Sequence, residues 1–288
     1  MRLVVNLIEE IIISGLILGG LYCLMSIGFS LIHGVARVMN LAHGALYMLT
    51  AYLIYSLLSL GLGPAIIISL IVTVLFSLII YKLLIGPLRE KESRAAIVTL
   101  ALALIFQESV KLIWGPEFKS IPSVTTGYVT IIGVRVVNQK LLSLIVAIIL
   151  VAILWVFIRQ TKQGKAIRAV AQNMEVAKLV GINITRVFML SMGISALLAG
   201  FAAVLFAPVY VVSPNSWTIL FSSFPVIVLG GLGSIKGSFI ASFIIAFIEK
   251  ILEFTVGGGY IVPTVTFAIM IVVLLIRPSG LFGKPIKE

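Results

Sequence analysis

Residues 159–186 read RQTKQGKAIRAVAQNMEVAKLVGINITR, a long polar interval inside a chain that is otherwise a succession of apolar runs. Six of these residues are basic (Arg159, Lys162, Lys165, Arg168, Lys178, Arg186) and one, Glu175, is acidic. Membrane proteins keep such segments on the cytoplasmic side, so this one sets an orientation. It also carries folding signals. Ala166, Ile167, Val170 and Ala171 recur at helical spacing, Asn173 is placed to cap a second short helix from Glu175 to Val180, and Gly181 is placed to end that helix in the left-handed conformation. Two short amphipathic helices facing the cytoplasm predict a docking surface. Charge alone is explained equally well by an ordinary connecting loop.

The rest of the chain makes this interval a loop between membrane spans. Of 288 residues, 61% are hydrophobic and 11% charged, and the mean hydropathy is +1.23, which excludes a soluble domain with its usual quarter of charged residues. The net charge of +11 does not point to nucleic acid, because the basic residues gather in short blocks between apolar runs, where they orient the chain and meet anionic headgroups of the membrane lipid. There is no Asp and one cysteine, Cys23, so an internal disulfide and a thiolate metal site are both excluded, and Cys23 reads as core packing. Arg2, Glu9 and Glu10 precede the first apolar run without a small-residue cleavage site, which argues against a cleaved signal peptide.

A bilayer core of about 30 Å needs roughly 20 apolar residues per helix. Nine runs qualify, at 8–31, 41–60, 64–84, 95–115, 140–158, 187–211, 217–235, 237–256 and 260–277, so the expected fold is an all-α polytopic membrane bundle of about nine spans. Three basic blocks, Lys82 to Arg94, the 159–186 interval, and Arg277 with Lys284 and Lys287, are separated by two and by four of these spans. Even numbers leave all three on one side, with the C-terminus cytoplasmic. Three spans before the first block put the N-terminus outside, unless the glycine-rich stretch from Gly28 to Gly44 is a broken helix that adds a short tenth segment. Trp114 and Trp217 fall at outer ends and Trp155 near an inner end, as in an aromatic belt. The outer loop at 116–139 has β-branched residues on both sides of Gly133, which predicts a small hairpin on the membrane surface. Its Lys119 and Arg135 leave that face mildly basic and suited to an acidic extracytoplasmic binding protein; solvated turn charges are the plainer explanation.

Polar residues in hydrocarbon are costly and invite a functional reading. Asn40, His43 and Tyr47 are spaced to share one helical face, where they either line a translocation path or satisfy backbone groups freed at a broken helix. Two histidines ten residues apart, without a carboxylate nearby, do not match metal-ligand spacing. Glu108 and Lys111 are spaced to pair, while Glu249, Lys250 and Glu253 are expected at the interface near the end of their span. Gly230, Gly231, Gly233 and Gly237 permit a tight turn and close backbone approach. They form no phosphate loop, since the Lys-Ser/Thr ending and the strand-loop-helix context are missing, so nucleotide must be bound by another chain. No catalytic residue emerges. Weak similarity between LAHGALYMLTAYLIYSLL and SIKGSFIASFIIAFIEKIL reads either as an internal repeat or as shared membrane composition.

Three motifs carry a family resemblance. EVAKLVG (Glu175 to Gly181) resembles the Glu-Ala-Ala-x-x-x-Gly coupling motif of ABC importer permeases, with Val176 where the second residue is commonly Ala. MNLAHGALYM (Met39 to Met48) is similar to the INFAHG-type sequence of the branched-chain amino acid permeases, and VIVLGGLGSIKGSFIASF (Val226 to Phe243) is similar to their late glycine run. The three lie far apart and in the expected order. The chain therefore resembles, over nearly its whole length, the membrane subunit of a branched-chain amino acid ABC importer. The resemblance implies a single transmembrane permease domain over 1–288 in the cell membrane, with 159–186 as the ATPase-coupling loop, carried by Lys165, Arg168, Glu175, Ala177 and Gly181. It implies a second homologous permease chain, two cytoplasmic ATPase subunits that bind ATP and Mg, and an extracytoplasmic solute-binding protein, with no cofactor on this chain. The substrate implied is Leu, Ile, Val or another hydrophobic amino acid, although related systems accept short amides or urea. An ATP-independent carrier or channel for small polar or amide solutes is the alternative; the scarcity of membrane-embedded acids, and cytoplasmic helices that would lack a task, argue against it.

Overall fold

The computed structural model describes residues 2–88, 91–131, 133–257, 259 and 261–283. Of the basic-block residues, Arg89, Lys284 and Lys287 lie outside the described residues. In chain order the elements are α1 (Arg2–Ala36), α2 (His43–Ser56), α3 (Leu62–Ile80), α4 (Gly86–Leu88), α5 (Glu92–Trp114), β1 (Tyr128–Ile131), β2 (Val134–Val137), α6 (Asn138–Gln160), α7 (Lys162–Gln172), α8 (Met174–Leu179), α9 (Ile184–Phe206), α10 (Ile219–Ser222), α11 (Phe224–Gly230), α12 (Ile235–Thr255) and α13 (Ile261–Ile276). The fold is a polytopic helical membrane bundle.

Among the described residues, five helices are long and apolar enough to cross a membrane: Leu7–Ala36, Leu62–Leu88 (α3 and α4 joined by a π-helical turn at Tyr81–Ile85), Glu92–Trp114, Asn138–Gln160 and Ile184–Phe206. A sixth qualifies only if Ser216–Gly230 and Ile235–Thr255, bent by 118° at their junction, count as one broken span. The nine-span expectation is not confirmed, because three of its runs form shorter elements. The α2 helix has 14 residues and α13 has 16. The run from 217 to 235 is divided among a 3-10 turn, α10 and α11, with Pro225 in the first turn of α11 and Gly231 closing it at φ +95°. Apolarity is common to a full span and to a shorter helix, whether largely buried like α2 or largely exposed like α13, so hydropathy does not separate them.

The expected break between Gly28 and Gly44 sits later than the glycines imply. Helix α1 runs unbroken through Gly28 and Gly34 and stops at Ala36, after which Arg37 takes φ +52° and residues 37–40 belong to no helix or strand. Non-helical backbone at membrane depth persists only where protein supplies its hydrogen bonds. Here Thr99 of α5 does so. Its hydroxyl accepts from Leu41 N at 3.1 Å and donates to Met39 O at 3.2 Å.

The helices pack with small or polar residues inward and large apolar residues outward. On α3, Ala65, Ser69, Thr73 and Ser77 recur every fourth residue and are buried, while Ile67, Ile71, Leu75 and Ile79 are exposed. Small residues let helices approach closely in a membrane, where lipid solvates large apolar side chains as well as protein does. The same logic joins α1 to α12, which run antiparallel: Gly15 and Gly19 receive the rings of Phe247 and Phe243, Ser30 bonds Ser238 at 2.7 Å, and Tyr22 donates to Glu249 at 2.8 Å. Cys23 is buried in this core, as expected. Through the middle passes α9, packed on α1, α2, α3 and α6.

Two ends of the bundle differ. At one, β1 and β2 form the expected antiparallel hairpin, with Gly133 at φ +84° in its turn, and Lys119 pairs with Val212 in an isolated bridge. At the other lie α7, α8, the last turns of α1 and α6, and the start of α12; residues 280–283 close onto the turn after α11, where Leu281 N donates to Leu229 O at 2.8 Å.

Candidate coupling surface and buried polar centre

Both short helices of the 159–186 interval are built by their caps. Thr161 Oγ1 accepts from Gly164 N at 2.9 Å to start α7, and Asn173 Oδ1 accepts from Glu175 N and Val176 N at 3.0 and 3.1 Å to start α8. At the far end of α8, Gly181 takes φ +82°, Gly181 N donates to Lys178 O and Ile182 N donates to Ala177 O, both at 3.0 Å. That paired pattern is a Schellman stop, which requires the left-handed residue. Asn183 then caps α9 through Arg186 N, so only residues 180–183 separate α8 from the central helix.

Of the expected coupling residues, Ala177 is buried, while Lys165, Arg168, Glu175 and Gly181 are exposed. Sequence reasoning passed over the apolar residues among them. Leu179 is 86% exposed, Val180 70% and Val176 53%, on a six-residue helix that buries Ala177 alone. Its apolar face points away from the bundle. Arg168 stands apart from α8 and lines a cavity with Arg159 and Lys236.

The polar centre forms where α2 begins. His43 is fully buried, with Nδ1 3.1 Å from Ser195 Oγ at the middle of α9. Gly28 makes room for the imidazole, since a Cβ there would stand 2.8 Å from its Cε1. Asn40 is not on the helix with His43 and Tyr47; it lies in the non-helical entry, donating to Met192 sulfur at 3.7 Å, and its backbone carbonyl accepts from His43 N at 3.1 Å. Tyr47 is buried too. His43 Nε2 and Asn40 Oδ1 are buried without a hydrogen-bond partner among the described residues. Ser195 and Thr99 are the hydrogen-bonding neighbours of this centre that sequence did not reveal. Their signal was available only as isolated hydroxyls in apolar helices.

The glycine-rich segment makes the close contacts its composition implies. A Cβ on Gly237 would overlap the carbonyl of Gly230, and one on Gly34 would stand 3.0 Å from Gly233 O. Gly231 and Gly233 have φ +95° and +83°. On the hairpin end, Lys119 lies 3.7 Å from Glu117 and over the Tyr55 ring at 5.7 Å, and Arg135 lies over Tyr128 at 5.2 Å. Glu108 and Lys111 pair at 2.7 Å. Two expectations are corrected. Glu249 is buried instead of interfacial, because it faces α1 and accepts from Tyr22, and Trp217 is a core residue whose indole donates to Gln107 instead of a belt residue.

The chain is a helical membrane bundle with a half-length helix, a buried polar centre and an exposed helical pair at one end. Over residues 11–276 the chain matches the family described as branched-chain amino acid transport system, permease component, and it belongs to that family. It is 29% identical to the high-affinity branched-chain amino acid transport system permease protein LivH of Salmonella typhimurium, over 96% of this chain and 95% of that one. It is 29% identical to the corresponding BraD of Pseudomonas aeruginosa, over 96% of each, and 28% identical to a probable LivH of Methanocaldococcus jannaschii, over 97% and 94%. The fold is shared with PsaBC from Streptococcus pneumoniae, solved in complex with Fab, at a TM-score of 0.54 and 14% identity over 97% of this chain and 98% of that one.

Proposed function

We propose that this chain is the membrane subunit of an ATP-driven importer for branched-chain or other hydrophobic amino acids. The observation that carries the coupling assignment is the apolar face of α8, which exposes Val176, Leu179 and Val180 at the end of the bundle among basic side chains. An apolar patch beyond the hydrocarbon core is stabilised by a partner protein. That partner is a cytoplasmic ATPase subunit, which places α7, α8 and the C-terminus inside and the hairpin outside, facing a solute-binding protein. A second permease chain completes the path.

Coupling follows from rigidity. The Schellman stop at Gly181 and the cap at Asn183 tie α8 to α9 without slack, so tilting α8 moves the helix whose Ser195 and Met192 hold His43 and Asn40 at the start of α2. Their burial supports a role for Asn40, His43 and Tyr47 in fixing that half-helix. They shape the path from behind its wall. Copurification with the ATPase subunits tests the assignment. Wild type should retain them, and Glu175→Lys, which adds charge to an already basic surface, should release them; equal retention of both would remove α8 as the contact.

A further inference from the structure

The cavity that Arg168 lines with Arg159 and Lys236, of about 370 Å³, lies at the end of the bundle that carries α7 and α8, walled by the last turns of α1 and α6, by α7 and by the start of α12. Three cationic side chains from three elements line it, Arg159, Arg168 and Lys236, and among the described residues no carboxylate does. None of the three forms an ion pair among the described residues. Arg159 is stacked over Trp155 at 4.5 Å, and Trp155 is 41% exposed on the bundle surface. All three are exposed to solvent, and an anion shared among them would offset the positive potential they place on the cavity. The remaining wall is mostly apolar, with Leu31, Val35, Ile158 and Ile167, and is interrupted by Ser30 and Ser234.

We propose that this cavity binds the phosphate of an anionic phospholipid, with Arg159, Arg168 and Lys236 around the headgroup and Trp155 with the apolar wall along the first carbons of an acyl chain. The chemistry recognised is a phosphate anion, and the cavity's position chooses its source. It sits at the helix ends, where headgroups lie and where interfacial tryptophan is placed. A free phosphate would use the cations and leave the apolar wall unmatched. Basic pockets between spans are a known physical solution for lipid headgroups. The bound lipid ties α7, through Arg168, to the glycine turn before α12, through Lys236. The assignment requires only that the chain spans a membrane, and it stands or falls separately from ATPase coupling.

Native mass spectrometry of the purified full-length chain, exchanged into detergent with phosphatidylglycerol or phosphatidylcholine, tests it. Each basic residue near a membrane surface contributes about a fivefold preference for anionic lipid. The double variant Arg159→Gln, Lys236→Gln should therefore lose roughly 25-fold of its phosphatidylglycerol preference, and Lys236→Gln alone, an exposed position in the first turn of α12, about fivefold. Lys91→Gln with Arg94→Gln, the same charge removed from the membrane surface outside the cavity, should lower the preference clearly less than the cavity pair does and leave the one-to-one lipid adduct in place. Equal losses in the two double variants would reduce the effect to net charge and overturn the site. So would displacement of phosphatidylglycerol by excess inorganic phosphate, which would make a free anion the ligand. Loss of the lipid adduct on assembly with the ATPase subunits would also overturn it, assigning the cavity to an acidic segment of the partner.

Discussion

At the scale of single residues, Gly181 and His43 make opposite demands. Gly181 has φ +82° and nothing within 4 Å of a Cβ built on it, so a side chain there meets strain and no clash. Gly181→Val forces a β-branched residue into the left-handed region at a cost of about 1–3 kcal/mol, concentrated on the end of α8. Insertion and thermal melting of the bundle should stay near wild type while transport falls; transport at the wild-type rate would show that the angle of α8 is immaterial. His43 is instead enclosed on every side. His43→Ala leaves a cavity beside Ser195 and should destabilise the protein by about 2–5 kcal/mol, read as a lower melting temperature and a poorer yield of assembled complex. Normal melting with abolished uptake would move His43 to the lining of the path.

Among elements, α8 and the α2 entry show what a sequence discloses. The caps of α8 were legible, because Asn173 and Gly181 act on their immediate neighbours and carry their signature within six residues. The length of α2 was not, since its start depends on Thr99, 58 residues away from Leu41, and no local pattern reports that bond. Packing faces were hidden for a related reason. In water an apolar stripe marks the buried face, but on α3 the buried stripe is Ala65, Ser69, Thr73 and Ser77, and the apolar residues face lipid. Glu249 was misplaced for want of its partner Tyr22, 227 residues earlier in the chain. The exposed face of α8 yields the element's own prediction. Leu179→Ser with Val180→Ser removes apolar contact without touching the core, and should weaken ATPase association about tenfold or more, as loss of interface anchors does. Unchanged pull-down would place the contact on α7 instead.

For the molecule as a whole, the three motifs were enough for the family, and the basic blocks for a consistent orientation, while the count of spans depended on tertiary contacts that hydropathy does not encode. Orientation is directly measurable. In a Cys23→Ala background, cysteines at Lys165 and Lys91 should react only with reagents admitted to the cytoplasm, and one at Thr126 only with impermeant reagent outside; reaction of Lys165→Cys from outside would invert the molecule. The central claim is that ATP hydrolysed by partners at α7 and α8 drives import through this chain. Its most direct measurement is uptake of labelled leucine into proteoliposomes holding this chain, its companion permease and the ATPase subunits, with binding protein outside and ATP enclosed. The account predicts uptake against a gradient that requires enclosed ATP and is lost in Gly181→Val. Equal uptake without enclosed ATP would contradict ATP-driven import, and wild-type uptake with Gly181→Val in place would remove only the angle of α8 from the coupling.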